Sequence, residues 1–310
     1  MSQTPIRLTR VQCDSLDPGP MPVPFSDGTM GPFEHWTVPW LRLTADDGTV
    51  GQVSASLGES VARLLIDESP RTRDEWCDRL WWLFRNEGHR NPAVTSRIAA
   101  IDLALADIEA RRAGKPLHRY LGAERDAMPV YGSGGSVRLS EAALVAEMRD
   151  LVASGFSTVK MKVASQFGTE PERDAERVRA VREAIGPDVG LAIDANQAWS
   201  AEAALAFARR VADCELAWFE EPVSAADRHA IGKLARELPC PLAMGESDVH
   251  WLQFRDLAEL GVGHIQSTPM KLPGFERWRE AIGYVEAAGA DWSAGGLTVL
   301  TAVPAAAGPG

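Results

Sequence analysis

Two lysines and three acids stand at intervals that suit chemistry on a carboxylate. Lys160 and Lys162 are two residues apart; Asp194, Glu220 and Glu246 then follow one another by 26 residues each. Side chains two apart on a strand share a face, so both ammonium groups point the same way. Three carboxylates brought together would repel and raise one another's pKa. A hard divalent cation removes that conflict: Mg²⁺ takes a few carboxylates at about 2.0–2.1 Å and keeps positions for water or substrate oxygens. The competing account, that each acid caps a following helix, does not explain acids on three successive repeats. Beside such a cation the two lysines divide the labour. One neutralises a substrate carboxylate, and the other, its pKa lowered, serves as a base.

The elements that must carry these residues alternate. Apolar strands are predicted at 129–133, 158–163, 190–194, 216–220, 242–246, 263–268 and 291–294. Amphipathic helices are predicted between them, at 141–153, 172–185, 201–211, 225–238 and 277–288. Hydrophobic strands spaced by helices predict a parallel sheet, and repeated right-handed crossovers close it into a TIM-type (β/α) barrel. The acids and lysines then fall at the C-terminal strand ends, where such barrels keep their active sites. A doubly wound sheet is the alternative, but no Gly-x-Gly-x-x-Gly follows an early strand. Seven strands are readable before Thr301-Ala302-Val303-Pro304 and an Ala/Gly/Pro tail, so the barrel is expected to be incomplete at the C-terminus.

Residues 1–127 read as an α+β capping domain and 128–310 as the barrel. In the first part, strands are predicted at 6–13, 36–43 and 50–55. A Gly/Pro-rich loop covers 17–32, Asp46-Asp47-Gly48 makes a hairpin turn, and helices cover 60–65, 71–85 and 93–113. In the last helix Ile98, Ile101, Leu105 and Ile108 form one apolar stripe, ended by Gly114-Lys115-Pro116.

Composition narrows the function. The 310 residues are 45% hydrophobic and 24% charged, with net charge −11, as in an ordinary globular protein. That balance argues against a nucleic-acid partner, because counterion release needs a basic face. No stretch reaches the roughly eighteen apolar residues of a membrane span, and no signal-peptide core opens the chain, so a cytoplasmic protein is expected. Cys13, Cys77, Cys214 and Cys240 form no Cys-x-x-Cys pair and are expected to be buried, reduced thiols.

These motifs together resemble the mandelate racemase/muconate-lactonising branch of the enolase superfamily. The resemblance rests on residues 98–107 with Gly114-Lys115-Pro116-Leu117, Lys160-x-Lys162, Asp194-x-Asn196, Glu220-Glu221-Pro222 and Gly245-Glu246. It implies Asp194, Glu220 and Glu246 as Mg²⁺ ligands, Lys162 as base, Lys160 on the substrate carboxylate and Asn196 lining the site. It also implies removal of a proton α to a carboxylate through an enediolate, and a homo-oligomer. His35 follows the early loop that closes over the mouth in this family, so substrate contact is expected of it.

The chain departs from the family where a His–Asp dyad faces the lysines. Thr268 stands near the expected Asp, and Trp292-Ser293-Ala294-Gly295-Gly296 holds no His. Lys271 lies about three residues beyond the muconate-lactonising lysine; on the rim it is a candidate substrate-binding residue, and the acid–base partner if the protein is a racemase or epimerase. With one face furnished, dehydration of an acid sugar is favoured over racemisation or epimerisation. A metal-binding paralogue without turnover is the third reading. His89, His118, His229, His250 and His264 have no metal-ligand spacing and are expected at surfaces or helix ends. Trp76, Trp81 and Trp82 on one helix are expected in the core or a subunit interface.

Overall fold

The computed structural model describes residues 4–66, 69–125, 127–296 and 306. A three-stranded antiparallel sheet in the order β1-β4-β5 and a two-stranded ribbon β2-β3 form the N-terminal part. The strands are β1 (Leu8–Leu16), β2 (Pro20–Phe25), β3 (Phe33–His35), β4 (Val38–Ala45) and β5 (Val50–Val53). The β4–β5 turn forms as predicted, with Thr49 N donating to Asp47 Oδ1 at 2.9 Å and Gly48 at φ +84°. The span 17–32 is not all loop, because β2 lies within it. Its three prolines leave few ladder donors, and it pairs only with the short β3.

The helix Pro92–Arg112 joins this sheet to the rest of the molecule. Asn91 caps it by accepting from Ala93 N at 3.0 Å, and Pro92 occupies its first turn. Ile98, Ile101, Leu105 and Ile108 are fully buried. The sheet approaches so closely that a Cβ on Gly51 would sit 1.9 Å from the Ala104 carbonyl oxygen, so only glycine fits there. On the other side Asp102 accepts from Phe275 N at 2.7 Å, which ties the helix to the next unit.

Seven parallel strands follow in strict sequence order: β6 (Gly132–Ser133), β7 (Thr158–Lys162), β8 (Gly190–Asp194), β9 (Trp218–Glu220), β10 (Leu242–Met244), β11 (His264–Ser267) and β12 (Asp291–Ala294). Each pairs with its sequence neighbour through a helical connection, as in a TIM-type barrel; a doubly wound sheet would reverse its order. Among the described residues the sheet is an open half-barrel with β6 and β12 at its edges. Residues 301–304, at the tail where the sequence shows no eighth strand, lie outside the described residues. β6, β9 and β10 are shorter than predicted, which leaves Gly245 and Glu246 beyond a strand end.

Strand alternation sorts the side chains. Val159, Met161, Leu191, Ile193 and Phe219 join the main core. Ala192, Trp218 and Ala243, with Tyr131 packed on them, form a separate cluster on the other strand face. His264 stands with them rather than at the surface, its ring stacked on Trp218 at 4.6 Å and its Nε2 2.9 Å from Ser293 Oγ. Burial pushes its pKa down from 6.5 to about 4. The neutral ring therefore contributes stability above the unfolded pKa, and that contribution is lost as pH falls from about 6.5 to about 4. The loss should reach on the order of 3 kcal/mol. Urea unfolding at pH 7 and pH 4.5 would show it, and His264→Gln should flatten that part of the pH dependence. An equal slope in the variant would count against it.

All four cysteines are free thiols; Cys214 is buried, but Cys13 is exposed, because its β1 side chain falls on the solvent face. Trp76 is core, Trp81 stacks on His89 at 3.5 Å and packs on Trp251, and Trp82 is exposed. His250 caps the helix Trp251–Glu259, a helix-end role as predicted. No described helix is long and apolar enough to cross a membrane.

Candidate active site

The ends of β7, β8 and β9 are in register, with Lys162 opposite Asp194 and Asp194 opposite Glu220. Lys160 and Lys162 lie on one strand face, and both turn to these acids. Lys160 Nζ lies 2.5 Å from Glu220 Oε1 and 3.6 Å from Asp194 Oδ2. Lys162 Nζ donates to Asp194 Oδ2. Asp194 Oδ1 accepts from Asn196 N at 2.9 Å. Glu220 Oε2 accepts from Trp218 Nε1 at 3.1 Å and from Gln266 Nε2 at 2.7 Å. The Tyr131 ring lies 5.4 Å from Lys160 Nζ.

Asp194 and Glu220 are fully buried, and their electrostatics differ. Burial would raise the Asp194 carboxyl, but Lys162, then Lys160, outweigh it and hold it at about 2. Burial and then the charge of Asp194 push Glu220 above the usual carboxylate range. Burial also opposes the Lys160 ammonium, yet Glu220 and Asp194 together hold it charged, well above the usual lysine range. Lys160 is therefore a fixed positive charge.

The third acid stands differently. Lys271 Nζ donates to the Glu246 carbonyl at 2.8 Å and lies 3.8 Å from its carboxylate, so it is a rim partner of Glu246. The predicted three-acid cage is not assembled: among the described residues no group of three His, Cys, Asp or Glu could hold one metal ion. Each acid has an ammonium beside it instead: Lys160 for Glu220, Lys162 for Asp194 and Lys271 for Glu246. The donor set still fits a hard divalent cation. Two in-register carboxylates already share one cationic group, and buried Asn196 Oδ1 and Glu221 Oε1 have no hydrogen-bond partner. Burial, then Glu246, raises the Glu221 carboxyl to about 7.

A loop from the N-terminal part closes on these strand ends. Thr29 Oγ1 donates to the Asn196 carbonyl at 3.3 Å, and Phe167 N donates to the Gly28 carbonyl at 3.0 Å. A Cβ on Gly28 would sit 2.8 Å from the Val163 and Ala164 carbonyl oxygens, so glycine is required for this seat. Among the described contacts His35 reaches none of the other site residues: half its side chain is in solvent, and its Nδ1 lies 3.7 Å from Asp17 Oδ1. A cavity of about 500 Å³ lies beside the loop, lined by Thr29, Arg138, Ser165 and Arg173, but by none of the five residues predicted to bind metal or move the proton.

Sequence reasoning did not assign Tyr131, Trp218 or Gln266 to the site. Strand alternation could have found Tyr131 and Trp218, which share a face with residues two further along.

Residues 143–308 match the family described as enolase C-terminal domain-like. L-talarate/galactarate dehydratase of Salmonella typhimurium is 34% identical over 217 residues, which is 69% of this chain and 52% of that protein. The chain thus spans about half the length of that curated relative. Other relatives include cycloisomerases and an epimerase. Among solved structures, a mandelate racemase/muconate lactonizing enzyme-like protein from Rubrobacter xylanophilus is 30% identical with a TM-score of 0.86, covering 97% of this chain and 84% of that one. A racemase from Streptomyces coelicolor, solved with bound magnesium, is 27% identical with a TM-score of 0.87, covering 97% and 87%. This chain belongs to the enolase superfamily and carries its mandelate racemase/muconate lactonizing enzyme C-terminal domain.

Proposed function

We propose that the protein is a Mg²⁺-dependent lyase that removes the α-proton of a hydroxylated carboxylate, an acid sugar, and expels its β-hydroxyl. The observation that carries this is the pair of lysines on one face of β7, reaching two buried in-register carboxylates. Asp194 and Glu220, with Glu246 once it leaves Lys271, would hold the Mg²⁺, which when bound supplies positive charge to the substrate carboxylate. Lys160, fixed in its charged form, sits where it can meet the second negative charge that develops as the proton leaves. Lys162, less enclosed than Lys160, takes the proton and in its ammonium form returns it to the departing β-hydroxyl, so that water leaves and the enol tautomerises to the 2-keto acid. Asn196 lines the mouth with its unpartnered Oδ1, and Lys271 holds the Glu246 side of the rim.

Dehydration is favoured over racemisation by what faces Lys162 from β11 and β12. On the inner face these strands carry Gln266, Thr268 and Ser293, and among the described residues at their C-terminal ends there is no strong acid or base. The dehydratase relative supports the same reading. The test is a screen of aldonates and aldarates with Mg²⁺ for a 2-keto product, with and without EDTA. A 2-keto product that EDTA abolishes is the expected result. Deuterium wash-in at the α-carbon of both enantiomers, with no keto product, would replace this reading by an epimerase. Mg²⁺ binding by calorimetry without turnover of any acid sugar would replace it by a binding protein.

A further inference from the structure

We propose that Arg177 is a positioning residue for Lys162: it ties the backbone at the end of β7 to the segment after β6, and so fixes where the Lys162 ammonium lies. The inference rests on the reading of Lys162 as the base. Arg177 projects from the helix Pro171–Ile185 and is 2% exposed. Its Nη1 donates to the Lys162 carbonyl at 3.1 Å, and its Nη2 to the Ser136 carbonyl at 2.9 Å and the Gly135 carbonyl at 3.5 Å. One planar fork thus spans two neighbouring chain segments, a geometry that a lysine ammonium cannot reproduce. Lys162 N donates in turn to the Gly135 carbonyl at 3.2 Å, which closes the link.

The fork is itself anchored. Arg177 Nη1 lies 3.2 Å from Asp174 Oδ1, and Asp174 is fully buried. The Asp174 carboxylate also accepts from Ser165 N at 2.8 Å and from Ser165 Oγ at 2.6 Å. Ser165 lies inside a strained turn: Ala164, Gln166 and Phe167 have φ of +62°, +51° and +57°, the left-handed region that favours glycine. The Phe167 side chain is 69% exposed, so its own burial does not hold that turn. The Arg177–Asp174–Ser165 cluster does, with Ser165 three residues beyond Lys162. Strain of this kind persists only where surrounding contacts over-determine it. The same turn seats Gly28, so one buried cluster sets both the base strand and the loop over it.

Misplacing a reacting group by about 1 Å costs on the order of 10²-fold in rate. Arg177→Lys should therefore lower kcat roughly 10- to 100-fold, measured on the acid sugar turned over fastest in the screen, with KM within about threefold. Arg73→Lys is the control, because Arg73 is also buried, against Asp102 and Glu109, and makes no described contact with β7. It should lose thermal stability but keep kcat. Ser165→Ala, a milder change, should move kcat in the same direction by less. A crystal structure of Arg177→Lys should show Lys162 moved off Asp194 with the Lys160–Glu220 pair intact. An unchanged Lys162–Asp194 contact, or equal kcat losses in the Arg177 and Arg73 variants, would overturn the proposal. If no acid sugar is turned over, the proposed function fails, and the crystal structure alone decides the positioning role.

Discussion

Lys162→Met is expected to lower turnover of an acid sugar by about 10²–10⁴-fold, the usual contribution of a positioned general base. The reasoning separates this lysine from its neighbour. Lys160 is locked between Glu220 and Asp194 and held charged, so it cannot readily accept a proton. Lys162 touches one carboxylate only and is more open to the mouth. Methionine keeps the length and the apolar stem while removing the amine, so packing should survive. Mg²⁺ affinity should hold or rise, because one competitor for Asp194 is gone. The measurement pairs steady-state kinetics with calorimetric Mg²⁺ titration. Turnover within threefold of the parent would remove Lys162 from the role. Loss of Mg²⁺ binding together with turnover would show that the substitution had damaged the site as a whole.

How far the sequence carries to this site depends on the kind of signal. The 26-residue spacing of Asp194, Glu220 and Glu246 reports the βα repeat, and the structure places the first two at the ends of adjacent strands. The Lys160/Lys162 pair was legible because strand alternation is a rigid rule of period two. The helix predicted at 141–153 has those bounds in the structure, where Ser140 caps it by accepting from Ala143 N at 3.3 Å. The contacts of Glu246 were not legible. Spacing gives the strand a residue leaves, but not where a side chain beyond a strand end turns, and Glu246 turns to Lys271.

Arg177 was hidden for another reason. Within Pro171–Ile185 it is one of four arginines, and its pairing with Asp174 three residues earlier looks in sequence like any exposed helix ion pair. Only the tertiary packing of that helix against the β7 end reveals that the pair is buried. His264 shows the same limit, since burial lowers its pKa and the Trp218 ring stacked on it lies 46 positions away in sequence. Local rules found the residues that periodicity arranges. They missed the ones whose meaning is set by what packs across from them.

Lys160→Met should produce the largest loss of stability. The Lys160 ammonium is the partner of Glu220 and lies near Asp194, both fully buried, and removing one member of a buried ion pair costs about 3–5 kcal/mol. Glu220 offers a partial escape. Its carboxyl is already raised by burial and by Asp194, so in the variant it can take a proton. A folded-state pKa above the unfolded one makes stability fall as pH rises through the window between them. The deficit of Lys160→Met should therefore be smallest at acidic pH and grow towards neutrality. Mg²⁺ should offset part of it, because a cation that binds only the folded state adds about 2.7 kcal/mol at a hundred times its Kd. The gain should be larger in the variant than in the parent, where the ion must compete with the ammonium. Urea denaturation of both proteins at pH 5.5 and 8, with and without Mg²⁺, measures each part. A deficit below about 1 kcal/mol would show that Lys160 is not the counter-ion the carboxylates need. An equal Mg²⁺ gain in both proteins would show that ammonium and metal do not compete for the same acids.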